Sequence, residues 1–255
     1  MADPGIWRVR EEAAPLAAHL AATLGGHSYP APAAPSNREA FRQLFHRHRA
    51  WILLMTTGIA VRYLDGLPQH KLTDPAVVTL DEAGRFAVSL LSGHEGGANE
   101  LAYRVAAVTG AVPVVTTATE ALKPLVLGLG CRRGVTPAQV DAAAGAALAA
   151  VSRHLTEVRE IATIDLKRHE DGLLTWCRQH DLPLRIIARA DIRHRPWQHE
   201  ASAWVEQRAG VAGVCEPAAL IAAPRGGLLL EKFNHDSVSV AIVEDPLWSG
   251  WSACL

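Results

Sequence analysis

Val88-Ser89-Leu90-Leu91-Ser92-Gly93-His94-Glu95-Gly96-Gly97-Ala98-Asn99-Glu100 is the stretch that decides how the chain is read. It leaves an apolar, strand-like run, packs three glycines around a histidine and two carboxylates, and turns into an alanine-rich helical segment. Glycines at such a turn let backbone N–H groups approach a ligand closely, because no Cβ stands in the way. The helix start behind them is expected to add unpaired N–H donors and a partial positive charge. That combination suits an anion or a developing oxyanion. The plainer alternative is a tight strand-to-helix turn carrying a surface histidine. If the turn is a site, His94 is the candidate general base or acid, since imidazole titrates near working pH. Glu95, Glu100 and Asp81 are candidates to orient His94 or to act themselves. Ser92 is a weak nucleophile candidate, because Leu-Ser-Gly-His is not the G-x-S-x-G elbow.

Outward from this turn, strand-like and helix-like segments alternate. Ile6–Val9, Trp51–Met55, Ala76–Leu80, Phe86–Leu90 and Val114–Val115 read as strands, and Asp81-Glu82-Ala83-Gly84 supplies a hairpin turn. Helices are expected over Ala14–Leu24, from Asn37 as N-cap with Phe41, Leu44 and Phe45 on its apolar face, and over Ala98–Val108. Pro113 suits an edge strand. The proline–alanine run Pro30–Pro35 reads as a surface connection.

A second unit begins at Lys123-Pro124. Leu125–Leu129, Glu157–Thr163, Leu184–Ile187, Leu228–Lys232 and Val238–Val243 are its strands, with Gly130 to Gly134 as a loop after the first. Thr136-Pro137 starts a helix over Val140–Leu155, another spans Gly172–His180, and Val211–Val214 leads into one at Cys215. His194–Glu200 reads as a mobile loop. The expected fold is α/β: two small domains, residues 1–122 and 123–255, with helices packed on mostly parallel or mixed sheets.

Bulk properties narrow the function classes. Among 255 residues, 25 Lys+Arg balance 26 Asp+Glu, so nothing global steers the chain to nucleic acid or an acidic membrane. No apolar run approaches the ~20 residues of a membrane span, and no basic segment followed by an apolar core marks a secretion signal. Cys131, Cys177, Cys215 and Cys254 contain no Cys-x-x-Cys pair, which predicts reduced thiols in the cytoplasm and neither a disulfide framework nor a zinc site. His46-x-His48 has the wrong spacing for one helix face, which speaks against a metal there. Gly128-x-Gly130 with Gly134 is one residue off a dinucleotide fingerprint, a weak pointer to a nucleotide. Arg62, Arg132, Arg133, Lys167 and Arg168 stand beside turns or strand ends, where arginine forks suit carboxylates; solvated surface charge is the alternative for each.

Several blocks resemble the N-terminal domain of the CbiG family: Thr57-Gly58-Ile59-Ala60-Val61-Arg62, Asp74-Pro75-Ala76-Val77-Val78, Asp81-Glu82-Ala83-Gly84-Arg85-Phe86, Leu91 to Leu101, and Pro113 to Thr119. The second unit is similar to the same family's C-terminal domain, shared with the CobE proteins, through Leu127 to Gly134, Ala162 to Lys167 and Gly213 to Leu220. Many family members carry a central domain, whereas here Thr119 and Leu125 are nearly adjacent, and Glu120 stands where aspartate is frequent. The resemblance implies a cobalt-precorrin-5A hydrolase of cobalamin biosynthesis, which opens a δ-lactone with loss of acetaldehyde. His94, Glu95 and Glu100 are the catalytic candidates for that chemistry. Substrate binding falls to Thr57, Gly58, Arg62, Ser92, Gly93, Gly96, Gly97, Asn99 and Thr117 in the first unit. In the second it falls to Gly130, Cys131, Arg132, Arg133, Asp165, Lys167 and Glu216. Cobalt would arrive inside the substrate, with no cofactor or protein metal site; the partners are the cobalt-corrinoid intermediate and neighbouring pathway enzymes. The alternative from a different class is an accessory protein that binds and hands on such an intermediate without catalysis.

Overall fold

The computed structural model describes residues 3–30, 36–195, 206–207, 209–211 and 213–247. Most of Pro30–Pro35 and His194–Glu200, part of Val211–Val214, and Cys254 lie outside the described residues. The chain divides into one unit ending at Thr117 and a second beginning at Ala118.

The first unit runs β1 (Gly5–Arg8), α1 (Ala14–Leu24), β2 (His27–Ser28), α2 (Asn37–Leu44), β3 (Ala50–Leu54), α3 (Thr57–Leu64), β4 (Ala76–Leu80), β5 (Phe86–Leu91), α4 (Ala98–Thr109) and β6 (Val112–Val114). Its sheet has the order β2-β1-β3-β4-β5-β6. The strands β2, β1, β3 and β4 are mutually parallel; β5 runs back against β4, and β6 lies parallel to β5. β3 is an unbroken apolar run because both of its faces are buried. Ile52 and Leu54 join Leu20, Leu101 and Val105 on one face, while Trp51 and Leu53 join Trp7, Phe41 and Phe45 on the other.

Asn37 is not the N-cap of α2. Ser36 takes that place, accepting from Glu39 N at 3.1 Å. Asn37 turns inward, where its Oδ1 accepts from Trp7 Nε1 at 2.7 Å and from the Tyr63 hydroxyl at 3.0 Å. Asn37→Ala leaves both donors without that acceptor and is expected to cost about 2 kcal/mol, read as a lowered urea midpoint at unchanged slope.

The second unit runs α5 (Ala118–Ala121), β7 (Leu125–Cys131), α6 (Pro137–Ala150), β8 (Val158–Ile164), α7 (Asp171–Gln179), β9 (Leu184–Ile187), α8 (Arg189–Arg193), α9 (Cys215–Ala222), β10 (Gly227–His235) and β11 (Val238–Glu244). Its sheet is also mixed, in the order β10-β11-β7-β8-β9, with β7, β8 and β9 parallel and β10 and β11 antiparallel. Thr136 caps α6 through a capping box with Gln139, and Pro137 fills the first helical turn. Leu127, Val140, Leu148 and Trp176 centre the core on one face; Val126, Ala162, Ile187 and Ala219 centre it on the other.

Gly130 and Cys131 belong to β7 and not to a loop. A Cβ on Gly128 would lie 1.8 Å from Cys215 O, so that glycine lets the backbone of α9 sit directly on the strand. The Gly-x-Gly pair is a packing device inside a strand, which removes the nucleotide fingerprint. Only Gly134, at φ 79°, serves a turn.

Candidate functional site

The strand-to-helix turn between β5 and α4 is built from its own carbonyls and glycines. Ala98 N donates to Ser92 O at 3.1 Å and Asn99 N to Gly93 O at 3.0 Å, closing the loop on the helix start. Gly97 takes the left-handed conformation at φ 87° that begins α4. Gly96 is needed for space: a Cβ there would stand 2.3 Å from Ser92 Cβ and 2.7 Å from Ser92 O. Asn99 ties three segments together. Its Oδ1 accepts from Ser89 Oγ at 2.8 Å, and its Nδ2 donates to Thr117 Oγ1 at 2.9 Å. Gly93 fits beneath this bridge, where a Cβ would meet Thr117 Cγ2 at 2.7 Å.

The helix start offers fewer free donors than expected, because the N–H groups of Ala98 and Asn99 are spent inside the turn. The free donors lie one step earlier: among the described residues, the N–H groups of Gly93, Gly96 and Gly97 donate to no protein acceptor. His94 and Glu95 are exposed at the tip, and Glu100 is exposed on the first turn of α4. Lys71 Nζ lies 2.6 Å from Glu95 Oε1 and, with Glu95's own N–H, holds that carboxyl below the usual carboxylate range. The turn therefore gathers Ser92, Gly93, His94, Glu95, Gly96, Gly97, Asn99, Glu100 and Thr117.

Other first-unit candidates do not join it. Asp81 caps the hairpin by accepting from Ala83 N, Arg85 N and Phe86 N. It therefore sits at the start of β5, roughly 15–20 Å of strand from Ser92. Thr57 and Gly58 follow β3, whose direction is opposite to that of β5, so they lie at the other end of the sheet. Arg62 is on the same helix and points its Nη1 back to Gly58 O at 3.1 Å. Lys71 and Ser89 belong to the turn's surroundings and were not expected. The alternation of β5 carried a signal for Ser89; Lys71 is 24 positions from its partner, with no local signal.

In the second unit, Arg132 and Arg133 are exposed in the loop after β7. Lys167 Nζ pairs with Glu170 Oε2 at 3.1 Å, both largely buried, and Glu170 Oε1 accepts from Gly134 N at 2.6 Å. Lys167 thus braces that loop and is not a free cation. Asp165 pairs with Arg189 Nε at 2.7 Å. An open cleft of about 750 Å³ is lined by residues that include Arg133, Gly134, Thr136, Leu166, His169 and Asp171. Glu216 stands apart: buried on α9, it accepts from Lys232 N at 3.0 Å where the β10 pairing shifts register. Its position fits a structural brace for that bulge.

Burial pushes the Cys131 thiol up to about 11, with Lys167 acting in the opposite sense; burial also raises Cys177 and Cys215 to about 12. A raised thiol stays protonated at pH 8, so Cys131 is expected to alkylate roughly 100-fold more slowly than an ordinary exposed thiol. Iodoacetamide labelling followed by peptide mass spectrometry checks this; labelling of Cys131 at an exposed-thiol rate contradicts it. Among the described residues no helix is long and apolar enough to cross a membrane.

Residues 39–120 match the family model described as cobalamin synthesis G N-terminal, and residues 125–243 match cobalamin synthesis G C-terminus. The chain belongs to the cobalamin synthesis G family. Its first-unit match contains the whole Ser92–Gly97 turn, and its second-unit match contains the loop after β7. The chain is 53% identical over 79 residues to the cobalt-precorrin-5A hydrolase of Salmonella typhimurium, which is 31% of this chain and 22% of that protein. It is 33% identical over 168 residues to the cobalt-precorrin-5A hydrolase of Priestia megaterium, covering 62% of this chain and 40% of that one. A probable cobalt-precorrin-5A hydrolase of Methanocaldococcus jannaschii is 26% identical over 278 residues, covering 77% and 86% respectively. The matches thus span less than half the length of the first two relatives.

Proposed function

We propose that the chain opens the δ-lactone of cobalt-precorrin-5A by hydrolysis and releases acetaldehyde, giving cobalt-precorrin-5B. The observation that carries this reading is the donor set of Gly93, Gly96 and Gly97, unspent among the described residues, beside an exposed His94, in a chain of this family. His94 takes a proton from water as its oxygen attacks the lactone carbonyl carbon. The carbonyl pair moves to oxygen, where the turn's N–H groups stabilise it. Collapse of the intermediate breaks the ester C–O bond, and the departing oxygen takes the proton back from His94. The freed hydroxyl then loses its proton to become the aldehyde carbonyl, while the carbon–carbon bonding pair stays with the macrocycle and is protonated there.

Glu95, held as a carboxylate by Lys71, serves the charge balance of the tip better than proton transfer. Glu100 remains a candidate to orient His94. Arg132 and Arg133 offer charge-assisted forks to peripheral carboxylates of the corrinoid. Cobalt is part of the substrate in this reading, the reaction takes place in the cytoplasm, and the enzymes on either side in the pathway are the natural partners. The near adjacency of Thr119 and Leu125, where many family members carry a central domain, favours a second reading, an accessory protein that holds the same intermediate. Incubation of the purified chain with cobalt-precorrin-5A separates the two: acetaldehyde supports the hydrolase, and binding without it supports the carrier.

A further inference from the structure

Ser92 carries two unfavourable features at once. It is a non-glycine residue in the left-handed region, at φ 57°, where the Cβ of an L-residue is crowded. Its Oγ is also enclosed and meets no hydrogen-bond partner among the described residues, although the residue is only 7% exposed. Buried hydroxyls are normally paired, and an orphan calls for a physical reason. Glycine at this position would remove the first feature and alanine the second. The side chain lies on the inner side of the turn, because Ser92 Cβ faces Gly96 closely enough to exclude a side chain there. It therefore sits against Gly96, whose N–H donates to no acceptor among the described residues, just before the 12-residue helix α4.

We propose that Ser92 is a hydrogen-bond donor to the ester carbonyl oxygen of the substrate, completing the set formed by the N–H groups of Gly96 and Gly97. This rests on the hydrolase reading for the identity of the ester. Attack on the carbonyl carbon needs a base hydrogen-bonded to the hydroxyl, and Ser92 Oγ has no partner among the described residues, so its role is to bind oxygen and not to form an acyl intermediate. It reaches the ligand by rotation about Cα–Cβ, with Gly93, Gly96 and Gly97 giving the flanking backbone freedom to adjust. No bond is made or broken at Ser92. Its hydrogen bond strengthens as negative charge develops on the carbonyl oxygen.

Ser92→Ala and Ser92→Gly test this together. Each is titrated with cobalt-precorrin-5A by visible absorbance, assayed for acetaldehyde, and melted. Glycine relieves the left-handed strain, so its unfolding temperature is expected at or above that of the parent chain. Both variants are nevertheless expected to lose about 10²-fold in kcat and to bind the corrinoid about 10-fold more weakly. Parental kinetics and affinity in both variants overturn the proposal. So does a loss confined to Ser92→Ala that follows its stability, which assigns Ser92 to the turn's architecture. If the parent chain binds the corrinoid and releases no acetaldehyde, the hydrolase reading fails, and the affinities alone decide for or against Ser92. If the parent does not bind it, both fall.

Discussion

Replacing His94 with alanine is expected to slow acetaldehyde release from cobalt-precorrin-5A by roughly 10²–10⁴-fold, the range for loss of a positioned acid–base group. The side chain is exposed at the tip of the β5–α4 turn, so stability should move by less than about 0.5 kcal/mol. Affinity for the intact corrinoid should be retained within a few-fold, since the imidazole is needed for proton movement and not for anchoring. A stopped assay on matched amounts of folded protein, with a melting curve for each, measures all three. An unchanged rate transfers the base role away from His94. Glu100 would then be the next residue to replace, because Glu95 is already committed to Lys71.

A second large effect is expected at a position with no chemistry. Gly128→Ala places a Cβ 1.8 Å from Cys215 O and 2.7 Å from Cys215 C. Both are backbone atoms, so no rotamer change relieves the overlap; either α9 lifts off the sheet or β7 bends. Overpacking of this kind costs about 3 kcal/mol or more, a fall of roughly 10 °C in the unfolding temperature of a unit this size. Gly145→Ala is the control. It sits exposed in the middle of α6 with nothing within 4 Å of an added Cβ, and is expected to stabilise by about 0.5–1 kcal/mol. Equal effects of the two substitutions would contradict the packing account of the Gly-x-Gly pair.

The contrast between these two glycines shows where the sequence was legible. Local signals were read correctly where the partner is near in sequence. Thr136-Pro137 announced α6, Asp81 to Gly84 announced the hairpin, and the apolar run at Trp51 announced a strand. Gly128 could not be read the same way. A glycine needed for a turn and one needed for a close backbone approach look alike locally, and Cys215 is far along the chain. Ser36 and Asn37 are both good cap residues. Which one turned inward was decided by Trp7 and Tyr63, some thirty positions away in either direction.

The site was legible in part. The turn from Ser92 to Gly97 is where it was expected, and Asn99 and Thr117 meet beside it. Thr57 and Gly58, expected like that turn to bind substrate, lie at the other end of the sheet. Carboxyl ends of strands share one edge only when the strands are parallel, and the β4–β5 hairpin reverses the direction. The basic residues were a mixed case. Arg132 and Arg133 are exposed, whereas Lys167 and Arg62 are engaged with Glu170 and Gly58. Side-chain commitment of that kind depends on tertiary neighbours and leaves no trace in spacing.

The central claim is that water, activated at the Ser92–Gly97 turn, opens the lactone. Turnover of cobalt-precorrin-5A by the purified chain in ¹⁸O-labelled water tests it most directly, with mass spectrometry of the corrinoid and quantitation of acetaldehyde. The predicted result is one acetaldehyde per corrinoid consumed and one ¹⁸O in the newly freed carboxylate, with both lost in His94→Ala. A corrinoid that is bound and recovered unlabelled, with no acetaldehyde, would contradict it and leave the carrier reading in its place.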